Sequence, residues 1–88
     1  MTEDVSVRLR ERGLNVTAQR LALLRAVAAG PHGTAEELFG AVAGDLGSVS
    51  RQAVFDSLAV LTEAGLIRRI QPSRSPARYE TRVDDNHH

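Results

Sequence analysis

Apolar residues along the chain recur first at helical and then at strand spacing. Val5 and Leu9 fall on one face of a first helix predicted from about Glu3 to Arg12, ended by Gly13 as a left-handed cap. Thr17 caps a second helix whose apolar positions are Leu21, Leu24, Val27 and Ala28, stopped by Gly30 and Pro31. Thr34 to Glu37 (TAEE) matches a capping box, and the third helix that it opens is expected to bury Leu38, Phe39, Val42 and Leu46. A short turn, Gly47 to Ser50, leads to a fourth helix capped by Ser50 and buried along Ala53, Val54, Leu58 and Leu61. After Gly65 the pattern changes: Leu66, Ile67 and Ile70 suggest a strand, Pro72 to Pro76 a loop, and Ala77 to Val83 a returning strand.

These elements define a mainly α fold with a small β-hairpin wing: a winged helix-turn-helix of about four helices and two antiparallel strands. The third and fourth helices form the helix-turn-helix pair. That order of elements places one helix in a DNA major groove and a hairpin beside it. With 88 residues and 42% hydrophobic content, the chain suits one compact domain, which at this size buries only roughly 60–65% of its unfolded surface. Without cysteine, neither a disulfide nor a thiolate metal site can form within it. No apolar run reaches membrane-spanning length and the N-terminus lacks signal-peptide character, so a soluble cytoplasmic protein is expected.

Formal net charge is zero, which taken alone argues against a nucleic-acid partner. Its distribution argues for one. All eleven fixed positive charges are arginine, and five of them (Arg68, Arg69, Arg74, Arg78, Arg82) lie in the hairpin region against the single acid Glu80. Arg8, Arg10, Arg12 and Arg20 form a second group, while acids gather at Glu36, Glu37, Asp45, Asp84 and Asp85. A merely solvated surface is the competing explanation.

Six segments in order carry a resemblance: Leu9 to Arg20 (LRERGLNVTAQR), His32 to Leu38 (HGTAEEL), Val49 to Leu58 (VSRQAVFDSL), Ala64 to Ile67 (AGLI), Ala77 to Glu80 (ARYE) and Asp85 to His88 (DNHH). Together they resemble the N-terminal half of ferric uptake regulator family repressors, collinear from about Val5 to the end and closest to the arginine-rich actinobacterial branch. The resemblance implies that the fourth helix reads DNA. Phe55 takes the slot of the family's base-contacting tyrosine and keeps an apolar face for thymine methyls; a core aromatic is its other reading. Asp56 replaces an arginine, repelling phosphate but able to accept from a cytosine amine. Ser50, Arg51, Gln52 and Ser57 are polar candidates on the front of that helix. Asn15 occupies a slot where relatives often carry a minor-groove basic residue, Arg20 would clamp a phosphate, and Arg68 and Arg78 would make secondary wing contacts.

The resemblance also implies a regulatory Fe(II), Mn(II) or Zn(II) site formed by His32, Glu80 and His87, an imidazole and carboxylate set of intermediate hardness. It would be incomplete in this chain, since the family's next ligand falls one residue past His88. Residues 1–83 would form the DNA-binding domain and 84–88 the start of a hinge toward an absent dimerisation and metal-binding domain. A plain loop histidine is the alternative for His32, and the start of a purification tag for His87 and His88. The intact protein would be a homodimer on an AT-rich palindromic operator in double-stranded DNA, and the chain alone a monomer.

The function expected is that of a DNA-binding domain of a metal-dependent repressor of iron homeostasis or oxidative-stress genes. A winged-helix protein-interaction module without specific DNA binding is the alternative. The chain has no nucleophile paired with a histidine and an orienting acid, and no phosphate-binding glycine loop, so an enzyme is not expected.

Overall fold

Capping residues divide the chain as the hydrophobic pattern suggests. The computed structural model describes residues 5–30 and 32–81, with Val5 described in its backbone only. In chain order they form α1 (Val5–Glu11), α2 (Ala18–Ala29), β1 (Gly33–Thr34), α3 (Ala35–Leu46), α4 (Arg51–Glu63), β2 (Ile67–Ile70) and β3 (Arg78–Thr81). The expected helix start at Glu3, the strand end at Val83, and the hinge 84–88 with His87 and His88 lie outside the described residues.

Each helix boundary has a local cause. Thr17, Thr34 and Ser50 sit in extended backbone, and their hydroxyls accept from the amides of Arg20, Glu37 and Ala53. At α3 the capping box is complete, because the Glu37 carboxylate accepts in return from the Thr34 amide at 2.9 Å. α1 and α4 close in the same way. Gly13 and Gly65 adopt positive φ, and the following leucine amides reach back five residues, Leu14 to the Leu9 carbonyl and Leu66 to that of Leu61, each at 3.0 Å. The second closure turns Leu66 into the core and begins the wing.

The core is aliphatic. Leu9 of α1, Leu23 and Val27 of α2, Val42 of α3, Val54, Leu58 and Leu61 of α4, and Leu66 and Ile67 at the start of the wing are almost fully buried. Ala22, Leu24 and Leu38 join them. Two expected core positions are exposed. Ala28 lies in the last turn of α2, rotated past the buried face, and Leu46 is the final residue of α3, beside the Gly47 turn, with 38% of its surface accessible. Leu21, Phe39 and Ala53 are half-buried, and Leu23, absent from the expected stripe, is fully buried.

The wing has three strands rather than the expected two. Its order is β1-β3-β2, antiparallel throughout, with Gly33 opposite Tyr79, Thr34 opposite Arg78, and Arg68 opposite Glu80. β1 has two residues, one of them glycine, and such a segment carries no alternation to detect. It matters because Thr34 ends β1 and caps α3, so the helix-turn-helix is tied to the wing.

Leu58→Ala is expected to lower unfolding free energy by about 2–5 kcal/mol. Leu46→Ala should change it by less than about 0.5 kcal/mol. Urea denaturation of both variants checks the assignment, and equal losses would contradict it.

Candidate nucleic-acid interface

The buried stripe of α4 determines which residues are left facing outward. Val54, Ser57, Leu58 and Leu61 point into the domain, leaving Arg51, Gln52, Asp56 and Ala59 exposed and Phe55 half-buried on the opposite side. Ser57 therefore departs from the expected set of outward polar residues. Its spacing from Val54, Leu58 and Leu61 is that of the core stripe, and its hydroxyl was the reason to expect exposure. That hydroxyl is satisfied inside. Gln19 of α2 donates from Nε2 to Ser57 Oγ at 2.6 Å and to the Ala53 carbonyl at 3.1 Å, joining α2 to α4 by a polar bridge over apolar packing.

The outward residues are held in defined places. Ser50 Oγ is engaged at the helix cap. Arg51, at the first helical position, pairs with Glu36 of α3, and its guanidinium lies 4.8 Å from the centroid of the Phe39 ring. Gln52 Nε2 donates to Asp56 Oδ1 at 2.8 Å, one turn on. Phe55 packs against the edge of the core and lines an open crevice of about 460 Å³ with Ala59, Thr62 and Glu63 of α4 and Arg69 and Tyr79 of the wing. Part of the ring supports the core and part faces the crevice.

Arg20 donates from Nη1 to the Asn15 carbonyl at 2.9 Å, which fixes it beside the start of α2 while the Asn15 residue stays exposed. Across the wing, Arg68 grips Glu80 Oε2 through Nε at 2.9 Å and through Nη2. Arg78 donates from Nη1 to the His32 carbonyl, also at 2.9 Å. At the tip, Arg74 adopts positive φ, and the Ser75 amide closes the turn onto the Pro72 carbonyl.

His32 and Glu80 converge. The His32 backbone has a φ of 72°, and its amide donates to the Tyr79 carbonyl at 3.0 Å. Its Nδ1 comes within 3.9 Å of Glu80 Oε1. Nitrogen and oxygen ligands of one zinc ion stand about 3.3 Å apart at usual bond lengths and tetrahedral angles, a separation close to that of these two atoms. His87 lies outside the described residues, and among the described residues no three histidine or acidic side chains gather.

Residues 11–88 match the model of the ferric uptake regulator family. The chain belongs to this family. It is 58% identical over 85 residues to the transcriptional regulator FurA of Mycobacterium tuberculosis, a match covering 97% of this chain and 58% of FurA. Among solved structures it resembles a zinc-bound manganese uptake regulator, with a TM-score of 0.84 and 28% identity over 98% of this chain and 65% of that one. The ferric uptake regulator of Vibrio cholerae gives a TM-score of 0.77 and 29% identity, over 97% of this chain and 65% of that one. The chain thus spans less than two thirds of the length of these relatives.

Sequence reasoning overlooked two residues that organise this face of the ferric uptake regulator fold. Gln19 sits in the first turn of α2 with nothing in its spacing to mark a bridge across 38 positions to Ser57. Glu36 reads as an ordinary first-turn acid, and only the fold shows that it meets Arg51. Gln19→Ala is expected to destabilise the domain by about 1–3 kcal/mol, because it strands the buried Ser57 hydroxyl. In a Ser57→Ala background the same change should cost clearly less. Additive losses in that double-mutant cycle, read by urea unfolding, would rule out the bridge.

Proposed function

We propose that this chain is the DNA-reading domain of a metal-dependent transcriptional repressor in the control of iron homeostasis or the oxidative-stress response. The observation that carries the reading is the build of α4: one face locked into the core and bridged to α2, the other presenting Arg51, Gln52, Phe55 and Asp56 beside an arginine-bearing wing. In this proposal α4 enters the major groove. Gln52 and Asp56 face base edges as a hydrogen-bonded pair, Phe55 meets thymine methyls from the crevice side, and Ser50 and Arg51 lie at the positive end of the helix near phosphate. Arg20 and Asn15 approach the backbone next to the minor groove, and Arg68 and Arg78 contact phosphates from the wing. Ser57 has no place in this surface.

His32 and Glu80 supply two donors of a regulatory Fe(II), Mn(II) or Zn(II) site, with His87 as a third. Held by these residues, such an ion would tie the segment before α3 to the second strand of the hairpin. This chain's own residues prepare that geometry, since the Tyr79 carbonyl and the Arg78 guanidinium hold the His32 backbone from both sides. In the longer protein we propose a homodimer on an AT-rich palindrome. A single domain then lacks the tethered second half-site, a loss of ~100-fold or more in affinity.

The test is binding to an AT-rich palindromic duplex and to a scrambled one across a salt series. Four phosphate contacts, from Arg20, Arg51, Arg68 and Arg78, would give log K falling against log salt with a slope of about −3 to −4. Phe55→Ala should cost about 1 kcal/mol or more of preference for the palindrome. No binding at low salt, in a folded protein and again after a C-terminal dimerisation half is joined to it, would favour the protein-interaction module instead.

A further inference from the structure

Arg51 is the arginine of α4, at the end of the helix proposed above to lie near phosphate, and it is already occupied. Glu36 and Phe39 stand three residues apart on α3, hence on one face of that helix, and together they form a seat for its guanidinium: a carboxylate to pair with and a ring to lie against. The Arg51 and Glu36 side chains are 54% and 64% exposed, so phosphate can reach the pair from solvent. The nearest acid on α4 itself, Asp56, is engaged by Gln52. The competitor for Arg51 therefore comes from the neighbouring helix.

We infer that Glu36 acts as an internal stand-in for a DNA phosphate, holding Arg51 against Phe39 and lowering the affinity of the α4 N-terminus for duplex regardless of base sequence. The inference rests on the DNA-reading role proposed above and adds a specificity-determining residue to it. To take a phosphate, Arg51 must leave Glu36 and place the phosphate close to an unpaired carboxylate. Exposed ion pairs are weak, so the exchange remains possible and the effect is one of tuning. A uniform penalty on sequence-independent contact makes the domain depend more on the base contacts of Gln52, Phe55 and Asp56 for its residence on DNA.

The experiment is a double-mutant cycle with Glu36→Gln and Arg51→Ala, measured on the palindromic and scrambled duplexes across the same salt series. Glu36→Gln is expected to raise affinity for both duplexes by about two- to fivefold, the scale of one exposed ion pair. It should also steepen the salt dependence by up to about one unit of slope. In the Arg51→Ala background Glu36→Gln should give a clearly smaller gain. An equal gain with and without Arg51 would overturn the inference, since Glu36 would then act as a free repulsive charge, and so would the absence of any gain. A second readout needs no DNA. In the unliganded protein Glu36→Gln should shift the Arg51 Nη1–H resonance and speed its exchange with water, whereas an unchanged signal would overturn the tether. If the parent domain binds no duplex, the DNA-reading role fails while this resonance still decides whether Glu36 holds Arg51.

Discussion

The orientation of α4 depends on one composite contact, the insertion of Val54, Leu58 and Leu61 between the other helices and the wing, with the Gln19 to Ser57 hydrogen bond beside it. Apolar burial is non-directional and would tolerate α4 rotating or sliding by a fraction of a turn. The amide bridge is directional. Its two acceptors, the Ala53 carbonyl and the Ser57 hydroxyl, lie one turn apart, so a rotation that kept one would lose the other and leave a buried hydroxyl unpaired. The apolar stripe supplies the stability, and Gln19 selects a single rotation of α4. Every outward residue of α4 takes its direction from that choice.

A domain of zero formal charge differs from the basic surface expected of a nucleic-acid binder, and the structure shows where its arginines are committed. Arg51 is met by Glu36 and Arg68 by Glu80, while Arg20 and Arg78 are held by backbone carbonyls. The guanidiniums are thus oriented in advance rather than left to sample rotamers, which reduces the entropy lost when they meet a partner. The acids in turn offset the long-range attraction that an unpaired set would exert on any polyanion. Arrangement on the surface, more than excess charge, sets the electrostatic character of this domain.

Much of the architecture was legible in the sequence because its signals are local. Thr17, Thr34 and Ser50 mark helix starts through hydroxyls that reach three residues ahead, and Gly13 and Gly65 mark helix ends through a conformation that suits few other residues. The segments resembling the ferric uptake regulator family placed the same elements in order, and apart from Leu9 and Arg10 they fall within a match that extends over residues 11–88. What escaped the reading was non-local. β1 exists only because β3 offers it an edge, and Ser57 is buried only because Gln19 arrives from another helix. Leu46 is apolar and correctly spaced, yet at the end of α3 more than a third of its surface stays open. Such features depend on where separate elements meet, which periodicity within one element does not encode.

Thr34 closes a strand and opens a helix with no residue between the two roles. A one-residue insertion after it would have to sacrifice either the strand pairing with Arg78 or the amide bond from Glu37, whereas an insertion at the Pro72 to Pro76 tip would disturb neither. Of these two places, only the far end of the hairpin is free to change in length. At its near end the wing and α3 form one continuous lever arm, so that a displacement applied to β3 is delivered to the base of the helix-turn-helix without slack.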